Sequence, residues 1–432
     1  MKTVAVYTLG CKVNQVESEA IIEDFLNRGY QLVHSDEPAD IYIVNTCTVT
    51  HVSDRKSRAV IRRAVRRQPD ALVVVTGCMA QMSQDPQELP AGISLLVSNR
   101  DKERLGEIVE SWLEGGSRRA DMSLPKAEEK LKPVLYSNIH ERTRAFVKIQ
   151  DGCQSYCSYC IVPFVRGPVR SKLPNDVIKE VRQLVELGYQ EIVFTGIHCG
   201  LYGMDVEGWD LSRLLRSVLD KVPGSYRIRT GSIEPLEVTP DLITLLAESN
   251  RVCNHLHIPL QSGSDRILKL MRRRYDRDYY RSLLTNIAEK IPDIGMAADI
   301  MVGFPSEDEE DFAQTFELLS GLPLLDLHVF KYSPRPGTKA YELGDNVAAA
   351  VKQQRSERLL ALAADKHRNF CRRFIGRELE VLTERKARDN YYLGFTDNYM
   401  EVGFSDAIDH RGQTVKVSLK EFFGDRLQGD VL

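Results

Sequence analysis

Three cysteines fall within eight residues of this chain: Cys153-Gln154-Ser155-Tyr156-Cys157-Ser158-Tyr159-Cys160. A 4Fe–4S cluster is commonly held by four thiolates, one per iron. Three thiolates on one short loop leave one iron open, and an open position is what a catalytic metal site keeps. Two other chemistries compete for the same loop. Structural zinc wants four ligands, and no histidine or fourth cysteine lies nearby in the sequence. A disulfide fits an odd number of cysteines poorly. Three more cysteines each follow a strand-like run, in Leu9-Gly10-Cys11, Asn45-Thr46-Cys47 and Thr76-Gly77-Cys78. They read either as buried small hydrophobes or as a second three-thiolate site. Repetition at equivalent strand ends favours ligation. Cys199, Cys253 and Cys371 match no ligand spacing and are expected to be structural, as is His257, which sits on a strand.

The elements that must position these residues are legible from periodicity. Strand-like runs at 4–8, 41–44, 72–75 and 95–97 alternate with helical spacing, as in Ala20, Ile21 and Phe25. These four, with a second strand between the first two of them, predict a five-stranded, doubly wound, flavodoxin-like parallel sheet over residues 1–113. In the order 2-1-3-4-5 the first, third and fourth strands are adjacent, about 4.8 Å apart. Their three cysteine turns then meet on one sheet edge. Residues 114–138 lose periodicity and predict a mobile linker. A second series follows over 139–375, with strands near 145–149, 191–195, 226–230, 255–260, 296–302 and 327–331. Six βα units predict an open, three-quarter barrel, with Cys153 just past its first strand, where barrels place their chemistry. A long helix from Val347 to Phe374 is expected to end at Gly376. Residues 376–432 turn to short alternating strands and predict a small antiparallel barrel.

The pair of triads, Cys11/Cys47/Cys78 and Cys153-x3-Cys157-x2-Cys160, is similar to the methylthiotransferase family of radical S-adenosylmethionine (SAM) enzymes. The opening Leu9-Gly-Cys-Lys-Val-Asn-Gln-Val-Glu-Ser-Glu-Ala-Ile21 resembles its MtaB subgroup, which modifies threonylcarbamoyladenosine in tRNA. The last segment resembles the TRAM domain, an RNA-binding module. The resemblance implies two 4Fe–4S clusters, SAM, a low-potential electron donor and a tRNA anticodon loop as substrate. It gives Cys153, Cys157 and Cys160 the radical-generating cluster and the first triad a cluster that carries sulfide. It places Tyr159 near the SAM adenine, with Val302 and Gly303 flanking it. Glu234, Gln261 and Ser262 would hold SAM's polar groups. The target C2–H of the adenine is neither acidic nor polarised, so acid–base groups cannot activate it. Alternatives are the same chemistry on isopentenyladenosine or on a ribosomal-protein aspartate, or a non-catalytic iron–sulfur RNA-binding protein.

Composition bounds the partners. Net charge is −3 over 432 residues, so a polyanion must be met by local patches. Candidates are Arg62, Arg63, Arg66 and Arg67, the run Arg272-Arg273-Arg274, and the basic positions of the long helix from Lys352 to Arg373. Tyr391, Tyr392 and Tyr399 are candidates to stack bases. No apolar run nears the length of a membrane span, and no signal peptide opens the chain. The expectation is a cytoplasmic protein with reduced thiols.

Overall fold

Two runs of the first domain, Ile41–Thr46 and Leu72–Gly77, are buried at every residue. Parallel strands covered on both faces require that pattern. In the computed structural model, which describes residues 1–83, 89–115, 121–134, 136, 143–388, 390–424 and 426–432, they are β3 and β4. With β1 (Thr3–Thr8), β2 (Gln31–Leu32) and β5 (Leu95–Leu96) they form one parallel sheet in the order β2-β1-β3-β4-β5. Helices α1 (Lys12–Asn27) and α4 (Leu105–Leu113) cover one face through Ile21, Phe25, Leu105 and Val109. Helices α2 (His51–Arg67) and α3 (Cys78–Met82) cover the other through Ile61, Ala64, Met79 and Ala80.

The second domain holds two three-stranded parallel sheets, β6 (Ala145–Lys148), β9 (Glu191–Thr195) and β10 (Arg227–Thr230), and β11 (His255–His257), β12 (Gly295–Val302) and β13 (Asp326–Lys331). A single bridge, Ile228 to Val252, joins them. β6 and β13 are the free edges, so the barrel stays open between them. An antiparallel pair that the sequence did not announce, β7 (Gln150–Asp151) and β8 (Arg170–Ser171), closes the base of the cysteine loop, which also contains α5 (Val162–Arg166). The outer layer is α6 (Pro174–Glu186), α7 (Leu211–Lys221), α8 (Pro240–Glu248), α9 (Asp265–Leu270), α10 (Arg277–Lys290) and α11 (Glu309–Gly321); α12 (Lys339–Glu342) follows β13. The expected mobile linker is corrected where it is described. Leu131 is buried and bridges Lys172, Lys130 pairs with Asp205 at 2.6 Å, and Glu129 pairs with Arg100 at 2.7 Å. Residues 116–120, 135 and 137–142, which include part of that linker and the start of the second series, lie outside the described residues.

Helix α13 (Ala349–Arg372) carries the expected basic run, and part of that run faces the barrel. Arg355 pairs with Glu307 at 2.7 Å, Arg358 with Glu309 at 2.8 Å, and Lys366 donates to the carbonyls of Ser320 and Leu322. Burial lowers the Lys366 pKa to about 8. Arg355, Arg358 and Lys366 thus act as a clasp, while Arg372 stays exposed. The last strands, β14 (Glu378–Arg388), β15 (Tyr391–Phe395), β16 (Glu401–Ser405), β17 (Thr414–Phe423) and β18 (Arg426–Val431), close in the order β14-β15-β16-β18-β17. The β15–β16 turn plugs the amino end of the large barrel. Arg227 and Arg229 donate to the carbonyls of Phe395 and Asp397 at 2.8 and 2.7 Å. A Cβ on Gly295 would meet the Asn398 carbonyl at 2.1 Å. Tyr399 is locked there between Phe395 and His255, and Tyr392 lies in the small barrel's core. Neither is free to stack a base. Tyr391 is half-buried against Gly403.

Candidate functional site

Tyr156 has φ of 46°, in the left-handed region, and Cys160 N–H donates to the Cys157 carbonyl at 3.0 Å. The loop therefore turns tightly and brings its thiols to one side. Two cations address the sulfurs directly. His198 Nδ1 lies 3.4 Å from Cys153 Sγ, and Arg273 Nη1 donates to Cys157 Sγ at 3.3 Å. Burial opposes charge on Cys153, but the His198 and Ser155 bonds outweigh it and lower its pKa. Burial also opposes charge on His198, whose pKa the bonds to Cys153 and Glu237 raise to about 10. At Cys160 the Val162 N–H and the charge of Arg273 do not offset burial, which pushes its pKa up to about 12. A thiol held protonated by burial becomes a ligand when a metal replaces its proton.

In the first domain, Cys11, Cys47 and Cys78 stand at the carboxyl ends of β1, β3 and β4. Gly10 (φ +102°) and Gly77 (φ +94°) make the approach possible. A Cβ on Gly10 would meet Cys47 Sγ at 3.0 Å, and one on Gly77 would meet the Thr46 carbonyl at 2.4 Å. Asn14 ties two of the turns, donating to the carbonyls of Leu9 and Thr46 at 2.6 and 3.0 Å.

The two loops abut. Cys78 packs with Ile161 and Val165, which lie in the segment just past Cys160. Arg166, buried one residue further on, bonds Asn14 and Glu17 of α1, and its charge reaches both Cys78 and Cys11. All nine cysteines are free thiols. Three sulfurs on a single zinc ion would lie about 4 Å apart. Among the described residues, only His257, Asp299 and His328 bring three ligand atoms within 4.8 Å of one another. Neither cysteine triad is set for one ion, whereas a four-iron cluster spreads its ligands over four metals. The donor sets fit clusters.

The predicted SAM residues separate on inspection. Glu234 sits beside the loop, ion-paired to Arg273, in a cavity of about 130 Å³ lined also by Cys157, His198 and Glu237. Burial raises the Glu234 pKa against the pull of Arg273. Tyr159 packs with Met271, Phe304 and Tyr332, next to the Gly303 turn (φ +71°). Gln261 adopts φ of 71° where the chain leaves β11. Ser262 points elsewhere: its hydroxyl lies 3.4 Å from that of Thr315 and accepts from Ser264 N–H at 3.2 Å. Val302 is buried in the packing layer under the helices, so its side chain does not face the barrel interior. Arg273 leaves the RNA-binding run for the same reason, its side chain being 4% exposed. Arg272 and Arg274 remain exposed, as do Arg62, Arg63 and Arg66; Arg67 is held by Ser35 and Asp36.

Several residues of the site went unread in the sequence. His198 and Arg166 were signalled only by their nearness to Cys199 and to the Cys160 loop. Tyr156 and Phe164 form a half-exposed edge-to-face pair at the mouth. His257 is not an isolated core residue, since its Nε2 lies 2.9 Å from Asp299 Oδ1. Cys199, Cys253 and Cys371 are buried, and burial pushes their pKa values up to about 12. A cleft of about 1040 Å³ lies between α1 and the barrel and has no cysteine in its lining. No helix among the described residues is long and apolar enough to cross a membrane.

Comparison with known proteins follows the same division. Residues 3–95 match the model of an uncharacterized protein family, UPF0004, and residues 147–319 match that of the radical SAM superfamily. The threonylcarbamoyladenosine tRNA methylthiotransferase MtaB of Bacillus subtilis is 40% identical over 97% of this chain and 94% of its own. MtaB of Aquifex aeolicus is 37% identical over 93% and 98%. The tRNA-2-methylthio-N(6)-dimethylallyladenosine synthase of Protochlamydia amoebophila is 33% identical over 100% and 96%. Among solved structures, the radical SAM methyltransferase TsrM of Kitasatospora setae superposes with a TM-score of 0.61 at 14% identity, over 78% of this chain and 76% of its own, a likeness of fold. The radical SAM match brings SAM and one 4Fe–4S cluster as cofactors. With 36–40% identity to three MtaB enzymes over at least 93% of its length, this chain belongs to the radical-SAM methylthiotransferase family, in its MtaB branch.

Proposed function

We propose that the enzyme adds a methylthio group to C2 of the adenine in N6-threonylcarbamoyladenosine, beside the anticodon of a tRNA. The observation that carries the reading is the packing of Cys78 against Ile161 and Val165, which supports two neighbouring cysteine triads. One target carbon between them can be reached by both. Residues 1–113 would carry one 4Fe–4S cluster on Cys11, Cys47 and Cys78. Residues 139–375 would carry the other on Cys153, Cys157 and Cys160, with 114–138 as the strap between and 376–432 as the RNA-facing module. When bound, the clusters and SAM supply a carbon radical and a sulfur source, which the unpolarised C2–H needs. The chain's own share is placement and exclusion of water. His198 and Arg273 stabilise charge on Cys153 and Cys157, Glu234 and the Gln261 turn hold SAM's polar groups, and Tyr159 with Gly303 borders its adenine. Arg62, Arg63, Arg66, Arg272 and Arg274 meet phosphates, and Tyr156 and Phe164 meet bases of the loop. A low-potential donor in the cytoplasm supplies the electron.

The test counts metal and product together. Anaerobically reconstituted protein should hold about eight irons, and the Cys11→Ala/Cys47→Ala/Cys78→Ala variant about four. Cys47→Ala should release 5′-deoxyadenosine under reductant yet attach no methylthio group, and Cys157→Ala should do neither. Purified enzyme is then given two tRNAs, one with the threonylcarbamoyl group and one with isopentenyl. Product on the isopentenyl tRNA alone sinks the substrate; unchanged iron in the triple variant sinks the second cluster.

A further inference from the structure

One charged cluster in the large barrel is not used by the cysteine chemistry. Side chains alternate along a strand, and Leu256, Ala298, Ile300 and Leu327 pack outward into the core under the helices. His257, Asp299 and His328 therefore share the inner face of β11, β12 and β13, with Asp299 and His328 directly opposed in register. Asp299 Oδ1 lies 2.9 Å from His257 Nε2 and 3.4 Å from His328 Nδ1, and the two rings stand at 90°. Burial would raise the Asp299 pKa, but its bonds to both imidazoles hold it at about 2. The Asp299 bond raises that of His328. His328 also faces Asp326 at 3.7 Å and is 44% exposed, so the cluster is open to a ligand. Two further groups border it. Lys12, at the start of α1, reaches over the Phe146 ring of β6 with its Nζ 6.0 Å from the ring centroid, and its positive charge acts on both His328 and His255. Phe330 lies two residues beyond His328 on the same face and is half-exposed.

We propose that His257, Asp299 and His328, together with Lys12, form the pocket that reads the polar substituent on N6 of the target adenine. The imidazoles and the lysine receive its carboxylate, Asp299 accepts from its N–H or hydroxyl groups, and Phe330 borders the base. The assignment rests on the threonylcarbamoyl substrate proposed above and names what selects it. An isopentenyl group would cover the ionised Asp299 and its imidazole partners with hydrocarbon and offer their remaining polar atoms nothing to bond. Sites built to hydrogen-bond a substrate group reject analogues lacking it by factors of about 10⁴. The same three side chains could instead hold a divalent cation. Against that, the ring nitrogens nearest the carboxylate are engaged with it, and Lys12 adds like charge.

The experiment uses the full reconstituted chain and the variants His328→Gln and Asp299→Asn, with iron content as the check on folding. Calorimetry compares free threonylcarbamoyladenosine with its methyl ester, which removes the carboxylate charge. The wild type should prefer the acid by about tenfold or more, equivalent to a charge-assisted hydrogen bond. His328→Gln should lose most of that preference, and both variants should raise KM for threonylcarbamoyl tRNA more than they lower kcat. A wild type active on that tRNA, with variants that keep its preference and KM, overturns this pocket alone. One divalent ion per wild-type chain, absent from both variants, overturns it in favour of a metal site. A wild type inactive on threonylcarbamoyl tRNA but active on isopentenyl tRNA overturns the substrate, and this pocket with it.

Discussion

Three consecutive arginines, Arg272, Arg273 and Arg274, are one basic run in the sequence and two different things in the fold. Arg272 takes φ of 60° as helix α9 ends, so the next side chain swings inward. Arg273 then donates to Cys157 Sγ and to Tyr275 Oη at 2.9 Å and pairs with Glu234, while its neighbours stay in solvent. The consequences differ in kind. Arg273→Ala leaves Glu234 without its partner in a mostly buried setting, at a cost on the order of 3 kcal/mol. It should abolish 5′-deoxyadenosine release while leaving the salt dependence of tRNA binding intact. Arg272→Gln and Arg274→Gln should each flatten the slope of log K against log salt by about one and leave SAM cleavage alone. Titrations of tRNA binding at several salt concentrations separate the two. A flattened slope in Arg273→Ala would return it to the phosphate surface.

At the scale of elements, the sheet that presents the first triad was legible because its signal is local. Strand runs bounded by Gly10-Cys11, Thr46-Cys47 and Gly77-Cys78 give both the order 2-1-3-4-5 and the convergence of the turns. What periodicity cannot give is the direction a side chain takes at a rim. Ser262 and Val302 stand in the right turns but face Thr315 and the core, and Arg355 and Arg358 of α13 are spent on Glu307 and Glu309. His257 looked like a core residue because its partners lie 42 and 71 positions away. The turn glycines carry a sharper consequence. Gly77 at φ +94° has the Thr46 backbone against it, and backbone cannot rotate aside as a long side chain can. Gly77→Ala should therefore displace Cys78 from the triad. Iron should fall from about eight to about four per chain, with SAM cleavage at the other loop kept. Full iron in that variant would show that the β3 and β4 turns tolerate separation.

The whole molecule must hold two triads, built on different sheets, at a fixed spacing, and a small set of buried charges does this. Glu17 of α1 receives Lys102 of its own domain at 2.5 Å and Lys148 of the barrel at 2.7 Å, and also pairs with Arg166. Asp151 shares Lys148 at 2.6 Å. Burial favours the neutral acid, yet the three cations hold the Glu17 pKa well below the ordinary value. A second clamp, Arg335 to Asp54 and to the Val49 carbonyl, ties the turn after β13 to α2. Removing the Glu17 charge leaves Lys148 and Arg166 with Asp151 and Lys102 with the side-chain oxygen of Asn45, and breaking a buried pair costs about 3–5 kcal/mol. The loss falls on the seam and touches no cysteine. Glu17→Gln should then keep both clusters and still release 5′-deoxyadenosine, while methylthio product per deoxyadenosine drops. A misplacement of about 1 Å costs on the order of a hundredfold in rate, so the coupling ratio is the sensitive measure. Hydrogen exchange should rise in α1 and α5 of the variant and stay unchanged in β12. An unchanged coupling ratio alongside faster exchange in α1 would mean that the spacing of the triads is set by the Arg335 clamp instead.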